Sequence, residues 1–269
     1  MNQYRHIQFG PGRRITDGIK SLIIINVVVF VLTLLEPLRN LLIYYFGVIP
    51  YHTWHEFHLW QPVTYMFLHG GFFHILLNMF GLWMFGTELE MIWGKKEFLK
   101  FYFVTGIGAG IISVVIQPTS TIPIIGASGA IYGILLAYGR KFPERIVYIY
   151  GLFPIKVKYL VLIFGGIEFF SSITPSADGI AHFAHLSGMI VGYIYLRYFM
   201  HNDHYFNGNN FGIEDIKKML NDLIAHFKSK NKHKSEMKRS QMEIDDILEK
   251  LSKEGYDKLT KEEKEKLLQ

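Results

Sequence analysis

The chain of 269 residues is organised around one stretch, GASGAIYG at residues 126–133. This stretch places Ser128 between glycines at the start of a long apolar segment. A serine becomes a nucleophile only when a base can take its proton and donors can hold the oxyanion that forms. The remaining sequence offers such partners, namely His185 downstream and His74 with Asn78 upstream.

The apolar residues predict a membrane protein. Half of the chain is hydrophobic and 16% is aromatic, and the apolar residues are concentrated before residue 200. A helix needs roughly 20 apolar residues to cross a bilayer. Six blocks approach that length: 19–38, 72–92, 98–117, 124–140, 157–174 and 182–200. The first block is too long for a cleavable signal peptide. The predicted fold is all-α, a polytopic bundle of six transmembrane helices with a soluble helical tail.

The basic residues predict the orientation of the bundle. They cluster before the first block and after the second, fourth and sixth, whereas the other loops hold only Arg39. Basic loops are typically cytoplasmic, so both termini are expected inside. This alternation explains the net charge of +5 without a nucleic-acid partner. The chain has no cysteine, which excludes disulfides and thiol catalysis.

The sequence divides into three segments. Residues 1–17 form a cytoplasmic lead, residues 18–200 the six-span core, and residues 201–269 a cytoplasmic helical tail with a basic linker at 228–240. The linker is suited to contact anionic lipid. All polar intramembrane groups precede residue 193, so the tail is expected to be dispensable for chemistry. The sequence does not identify the tail's partner.

Several polar side chains interrupt the apolar blocks, where such groups are costly. His74 and Asn78 lie one turn apart on one helical face, and both a functional role and interhelical hydrogen bonding fit them equally. Glu90 is expected to tie the inner end of the bundle together. For Glu168, a structural hydrogen-bonded group is favoured over a functional acid. In the first outer loop His52, His55 and His58 could suggest a metal site, but their aromatic neighbours favour an interfacial role.

Two stripes of small residues predict that the fourth and sixth spans pack closely: Gly129 and Gly133 on one, and Ala184, Gly188 and Gly192 on the other. Ser128 lies twelve residues before Arg140, and His185 twelve before Arg197. At 1.5 Å per residue, both are about 18 Å above the inner boundary. We therefore expect the two side chains to meet at one depth, with His182 nearer the interface in a capping or loop contact.

These motifs resemble the rhomboid intramembrane serine proteases over about residues 18–200. The resemblance rests on four motifs in the expected order: Gly-x-Ser-Gly (126–129), His-x₃-Asn (74–78), Ala-His-x₂-Gly-x₃-Gly (184–192) and Gly-x₃-Glu-x₃-Gly (86–94). The serine motif is not the elbow of an α/β-hydrolase, since residue 130 is alanine and no strand is predicted before it.

The resemblance implies a role for each site residue. Ser128 would be the nucleophile and His185 its base, in a dyad with no acid. His74, Asn78 and the Ser128 backbone N–H would form the oxyanion hole. Four further positions would support the site: Tyr132, which would stack on His185, and the glycines Gly126, Gly129 and Gly188. His69 matches an outer-loop position that has a structural role in the family. The family often has Trp-Arg in the first outer loop, where this chain has Trp60 followed by Gln61, so the bonding of that loop is expected to differ.

The expected activity is endoproteolysis of other membrane proteins within or beside their transmembrane segments, in the inner membrane of a bacterium, without a cofactor or metal. By the resemblance, substrate would enter past the fifth span and the loop Ser171–Gly179. The alternatives are an inactive relative acting in binding or quality control, a transporter or channel, and a metalloprotease. The apolar inner halves of the spans disfavour a channel, and the absence of His-Glu-x₂-His disfavours a metalloprotease.

Overall fold

The structure is a computed structural model that describes residues 15–149, 153–173 and 179–200, with isolated residues beyond 200. The chain divides into two units, Met1–Phe211 and Gly212–Gln269. In the second unit residues 244–248 and 250 are helical, where the sequence predicts a helix. The predictions for residues 1–14, for 229–240 of the basic linker and for most of the tail lie outside the described residues.

The described part of the first unit is built mainly from helices. They are α1 (Asp17–Thr33), α2 (Glu36–Phe46), α3 (Pro50–His55), α4 (Gln61–Thr64), α5 (Phe72–Gly81), α6 (Thr87–Trp93), α7 (Lys95–Ile116), α8 (Ser128–Lys141), α9 (Val157–Ile173) and α10 (Gly179–Tyr198). A 3₁₀ turn covers Tyr65–Phe67, and a π-helical segment, Leu82–Gly86, joins α5 and α6 into one continuous helix. Each of the six predicted apolar blocks contains a helix.

Two of these helices, Phe72–Trp93 and Lys95–Ile116, are long and apolar enough to cross a membrane within the described ranges. The first and fourth blocks are shorter as helices than predicted. In the first, α1 ends at Thr33 because a new helix begins at Glu36, with a proline in its first turn. In the fourth, α8 begins only at Ser128. The six-span arrangement therefore stays a prediction.

An antiparallel hairpin follows α8; the sequence analysis did not predict it within this mostly helical fold. Its strands are β1 (Ile146–Ile149) and β2 (Phe153–Lys156). The β-branched and aromatic residues of β1 favour an extended backbone. Beside the hairpin, Arg145 donates to the buried carboxylate of Glu88, which also accepts a 2.9 Å hydrogen bond from the Tyr138 hydroxyl. This contact fastens the hairpin to the helices.

Helix α8 packs against α7, α9 and α10, and its contact with α10 is the closest. A Cβ atom added at Gly188 would lie 1.9 Å from the carbonyl oxygen of Gly129, and one at Gly192 would lie 3.2 Å from Cα of Gly133. Only glycine allows the two backbones to approach in this way. The predicted contact between the two small-residue stripes is confirmed.

Glu90 ties α6 to the start of α1, in agreement with the predicted tie at one end of the bundle. Its Oε1 accepts a hydrogen bond from the backbone N–H of Gly18 at 2.7 Å. Its Oε2 accepts one from the N–H of Ile19 at 2.9 Å and one from the hydroxyl of Thr16 at 2.5 Å. The first N–H groups of a helix have no partner within the helix, so the carboxylate caps α1 from a distant part of the chain.

We expect Glu90→Gln to lower the free energy of unfolding by about 2 kcal/mol, because hydrogen bonds to a charged acceptor are stronger than those to an amide. Thermal unfolding of the detergent-solubilised protein measures the change. The control is Glu97→Gln, whose partially exposed carboxylate lies 4.0 Å from Lys100 and should matter far less. Equal melting temperatures for Glu90→Gln and wild type would show that the Glu90 carboxylate does not stabilise the start of α1.

Candidate active site

The segment before α8 is held by backbone hydrogen bonds. Ile124 pairs with Val48 in an isolated bridge, at 2.8 and 3.0 Å, and the N–H of Gly126 donates to the carbonyl of Tyr65 at 2.9 Å. Gly126 has φ +124°, which favours glycine, and a Cβ atom there would lie 2.7 Å from Nε2 of His74. These constraints turn the chain so that Ser128 becomes the first residue of α8.

The structure brings Ser128 and His185 together. Oγ of Ser128 lies 2.7 Å from Nε2 of His185, a hydrogen-bond distance between residues on α8 and α10. Tyr132, one turn further along α8, stacks on the His185 imidazole with ring centroids 4.6 Å apart and planes 9° apart. The imidazole is therefore fixed on one face by an aromatic ring and at its edge by a serine.

The position of Ser128 at a helix start adds a second chemical feature. The first backbone N–H groups of α8 lack partners within the helix and carry the positive end of the helix dipole. Such groups stabilise a negative charge that forms beside them. The 14 residues of α8 span about 21 Å, less than the roughly 30 Å hydrocarbon core. If α8 ends at the inner boundary, Ser128 lies within the membrane.

His74 lies on α5 with one nitrogen directed toward this helix start. The N–H of Gly70 donates to its Nδ1 at 3.3 Å, so a neutral ring carries its proton on Nε2. That nitrogen faces Gly126. The buried ring of His69 meets His74 edge-on, with centroids 5.0 Å apart. His74 is thereby oriented as a hydrogen-bond donor.

Asn78 is arranged differently from His74. Its side-chain amide donates to the carbonyl of His74, one turn earlier in α5, at 2.8 Å. The residue is buried. In this state one of its amide hydrogens is used within its own helix, and the other is left for a ligand.

Glu168 is the site residue whose role the sequence did not reveal. Tyr132 donates its hydroxyl hydrogen to Oε1 of this carboxylate. Oε2 lies 2.5 Å from Nδ1 of His182 and 3.1 Å from Nδ1 of His185. The predicted capping or loop contact for His182 is therefore wrong. The resemblance also implied no acid beside His185, whereas the structure places one there. An ionisable residue inside a membrane span was the signal available in the sequence.

The same cluster has the composition of a metal site, since one ligand atom each from Glu168, His182 and His185 lies within 4.8 Å of the others. Two ligands of one tetrahedral zinc ion at about 2 Å would be roughly 3.3 Å apart. Oε2 of Glu168 and Nδ1 of His182 are 2.5 Å apart, which is the distance of a hydrogen bond. We therefore interpret the cluster as a proton-sharing network.

The first outer loop is held by Gln61, the residue that departs from the family's usual pattern. Its Oε1 accepts hydrogen bonds from the N–H of Ile49 at 3.1 Å and the hydroxyl of Thr53 at 2.6 Å, and its Nε2 donates to the carbonyl of Tyr44 at 3.2 Å. The loop histidines pair and stack: His52 lies 2.6 Å from a carboxylate oxygen of Glu56. Gln61 thus bonds this loop without an arginine.

Comparison with known proteins agrees with this geometry. Residues 56–202 match the family model of the Rhomboid domain. Residues 230–269 match a second model, a family of unknown function named DUF6576. The first match covers more than half of the chain and contains all the site residues named above.

Curated relatives come from several compartments. Rhomboid protein 1, mitochondrial, of Saccharomyces cerevisiae is 30% identical over 142 residues, which is 48% of this chain and 38% of that protein. Rhomboid-like protein 11, chloroplastic, of Arabidopsis thaliana is 29% identical over 194 residues, 68% of this chain and 65% of that protein. Rhomboid protease GluP of Bacillus subtilis is 41% identical over 76 residues, 28% of this chain and 14% of that protein.

The matched segments span less than two thirds of each of these relatives. They include a mitochondrial and a chloroplastic protein as well as a bacterial one, so the prediction of a bacterial inner membrane is not supported. The family model, which matches residues 56–202, nevertheless establishes what kind of protein this is. The chain belongs to the rhomboid family of integral membrane proteins, whose members are typically serine intramembrane proteases.

Proposed function

We propose that this protein is an intramembrane serine endopeptidase that hydrolyses peptide bonds of membrane proteins within or beside their transmembrane segments. The observation that carries the proposal is the 2.7 Å contact between Oγ of Ser128 and Nε2 of His185 at the start of α8. A base within hydrogen-bond reach of a hydroxyl, itself held by a third group, is the arrangement of an activated nucleophile.

The proposed reaction has two stages. Oγ of Ser128 attacks the scissile carbonyl carbon while its proton passes to Nε2 of His185, and the same proton then passes to the leaving amine. The oxyanion is held by the backbone N–H of Ser128 and the Nε2–H of His74, with Asn78 as a further donor. Water then releases the acyl group from Ser128, again with His185 as base. These steps need no cofactor.

The proposed setting is a six-span bundle in the lipid bilayer with both termini in the cytoplasm. Water reaches Ser128 from the outer face, because α8 begins on that side. The substrates are transmembrane proteins that enter laterally past α9. Of the segment proposed as the entrance, Ser171–Gly179, the first three residues belong to α9 and Gly179 begins α10, so the prediction of a loop is wrong there. Residues 174–178 lie outside the described residues.

The alternative is a catalytically inactive relative that binds membrane proteins or acts in their quality control. The intact Ser128–His185 contact favours the enzyme, since an inactive binding protein has no need of a base on its serine. A pathway for ions would need polar side chains along α8 toward the inner face, where buried residues such as Ile134, Leu135 and Ala137 lie instead.

A serine-directed phosphonate probe tests the proposal. We expect it to label the detergent-solubilised full-length protein at Ser128, as located by peptide mass spectrometry, and to stop cleavage of a transmembrane model substrate in proportion to labelling. The reaction requires an activated serine, so the unfolded protein is the control and should not be labelled. Labelling at another serine, or no labelling of folded protein, would leave the inactive relative as the better explanation.

The oxyanion donors should contribute unequally. We expect His74→Ala to lower kcat by roughly 10²–10³-fold, the usual cost of one such donor, because its Nε2–H is already oriented toward the start of α8. Asn78→Ala should cost less, because the amide of Asn78 is partly used within α5. Single-turnover cleavage assays in detergent measure both losses.

The matched control for these two variants is Asn26→Ala. Asn26 is also buried and also donates to the carbonyl one turn earlier in its helix, at 2.8 Å, but it lies on α1. Its removal tests what the loss of a buried asparagine does to folding alone. Activity at the wild-type rate in both His74→Ala and Asn78→Ala would remove these residues from the oxyanion hole.

A further inference from the structure

We propose that Glu168 is a positioning residue for His185, so that this protein uses a serine–histidine–carboxylate relay in place of the serine–histidine dyad implied by its resemblance to the rhomboid family. This inference rests on the proposed function, because it assigns a role within the same reaction. The two nitrogens of the His185 imidazole face different partners: Nε2 lies 2.7 Å from Oγ of Ser128, and Nδ1 lies 3.1 Å from Oε2 of Glu168.

The carboxylate is held in place from two other helices. Tyr132 on α8 donates to Oε1, and His182 on α10 lies 2.5 Å from Oε2 through Nδ1. Glu168 itself is on α9 and is only 4% exposed. A buried carboxylate is tolerated when donors surround it, and these donors leave one side of Oε2 directed at His185. Tyr132 serves twice, since its ring also stacks on His185.

The contact gives the reaction two advantages. To accept the proton of Ser128, the neutral imidazole must keep its own proton on Nδ1, and a carboxylate beside Nδ1 favours that tautomer. When the proton moves from Oγ to Nε2, the imidazole becomes positively charged, and the nearby negative charge stabilises it. Glu168 stays ionised throughout; one proton moves from Ser128 to His185 and then to the leaving amine.

The contact between Glu168 and His185 has the distance of an ion pair, but the two groups are not aligned as a hydrogen bond. Catalytic hydrogen bonds are often long or misaligned before substrate binds and become shorter in the complex. Oε2 is shared between two imidazoles, so a small rotation of the carboxylate is enough to align it with Nδ1 of His185.

The competing explanation is that Glu168 only fastens α9 to α8 and α10. Such a role needs the contacts with Tyr132 and His182, but it does not need a contact with the ring that holds Ser128. The two explanations predict different effects of removing the charge of Glu168. A structural tie changes stability, whereas a positioning carboxylate changes the rate of the chemical step.

The test compares Glu168→Gln with Glu90→Gln in the full-length protein in detergent. Both residues are 4% exposed glutamates that accept hydrogen bonds from other helices, but Glu90 lies at the inner end, far from Ser128 along the bundle. We expect Glu168→Gln to lower kcat by roughly 10²–10⁴-fold, the range for the third member of such relays, with KM nearly unchanged. Phosphonate labelling of Ser128 should slow in parallel. Glu90→Gln should lower the melting temperature and leave kcat and the labelling rate near wild type.

A second variant, Glu168→Asp, keeps the charge but shortens the side chain by one methylene. It should recover part of the kcat lost in Glu168→Gln and still fall about tenfold below wild type, because rates depend steeply on small displacements. If Glu168→Gln does not fold, the Glu168→Asp rate decides the question. Wild-type kcat in the folded Glu168→Gln variant, or in Glu168→Asp when the former is unfolded, would overturn the inference. If wild-type protein is not labelled at all, the proposed function fails instead.

Discussion

Replacement of Ser128 or of His185 by alanine is expected to abolish cleavage. In the proposed mechanism the two side chains act as one unit, so removal of either should cost nearly as much as removal of both, at least about 10⁴-fold in kcat/KM by analogy with subtilisin. Ser128→Ala removes the atom that forms the acyl bond. His185→Ala leaves Oγ without the base that lies 2.7 Å from it. Cleavage of a transmembrane model substrate in detergent measures both.

Folding must be separated from chemistry in these variants. Neither change removes a large buried side chain, so both proteins should elute as wild type in size-exclusion chromatography and melt within a few degrees of it. The matched control is His182→Ala, on the same face of α10 and one turn from His185. It touches Glu168 and not Ser128, so the loss of activity should be far smaller than in His185→Ala. Substantial turnover by His185→Ala would remove the base from the proposed mechanism.

The parts of the site that sequence reasoning placed correctly share a physical basis. Residues four apart on a helix share a face, and the number of residues to an inner charge sets a depth. These two rules predicted that Ser128 and His185 lie at the same depth, and the glycine stripes predicted that the helices that hold them are in contact. The tie made by Glu90 was also predictable, because a buried carboxylate needs hydrogen-bond donors from neighbouring parts of the chain.

The parts that were not predictable depend on rotation and on distant pairing. The periodicity of the sequence does not determine the rotation of α9 about its axis. The contact between Glu168 and His185, which is 17 residues further along the chain, could therefore not be predicted. For the same reason His182 was assigned to the interface. The late start of α8 depends on Ile124 pairing with Val48, 76 residues away. The role of Gln61 depends on the positions of α2 and of the start of α3, because residues of both contact its amide.

Gly188→Ala is expected to remove activity without touching any reacting atom. A Cβ atom there would lie 1.9 Å from the carbonyl oxygen of Gly129, whereas real Cβ contacts are essentially never under 3.0 Å. Because the neighbouring atom belongs to the backbone, α8 and α10 must separate by about 1 Å or more to relieve the overlap. That shift acts directly on the 2.7 Å contact between Ser128 and His185.

The expected loss in kcat/KM for Gly188→Ala is at least about 10²-fold, the cost of a 1 Å misplacement of reacting groups. The melting temperature should also fall, because overpacking a tight contact typically costs 1–3 kcal/mol. The control is Gly166→Ala on α9, where an added Cβ atom meets nothing within 4 Å and alanine favours the helix. That variant should match wild type in activity and be at least as stable. If Gly188→Ala cleaves substrate at the wild-type rate, the close approach of α8 and α10 cannot be what holds His185 against Ser128.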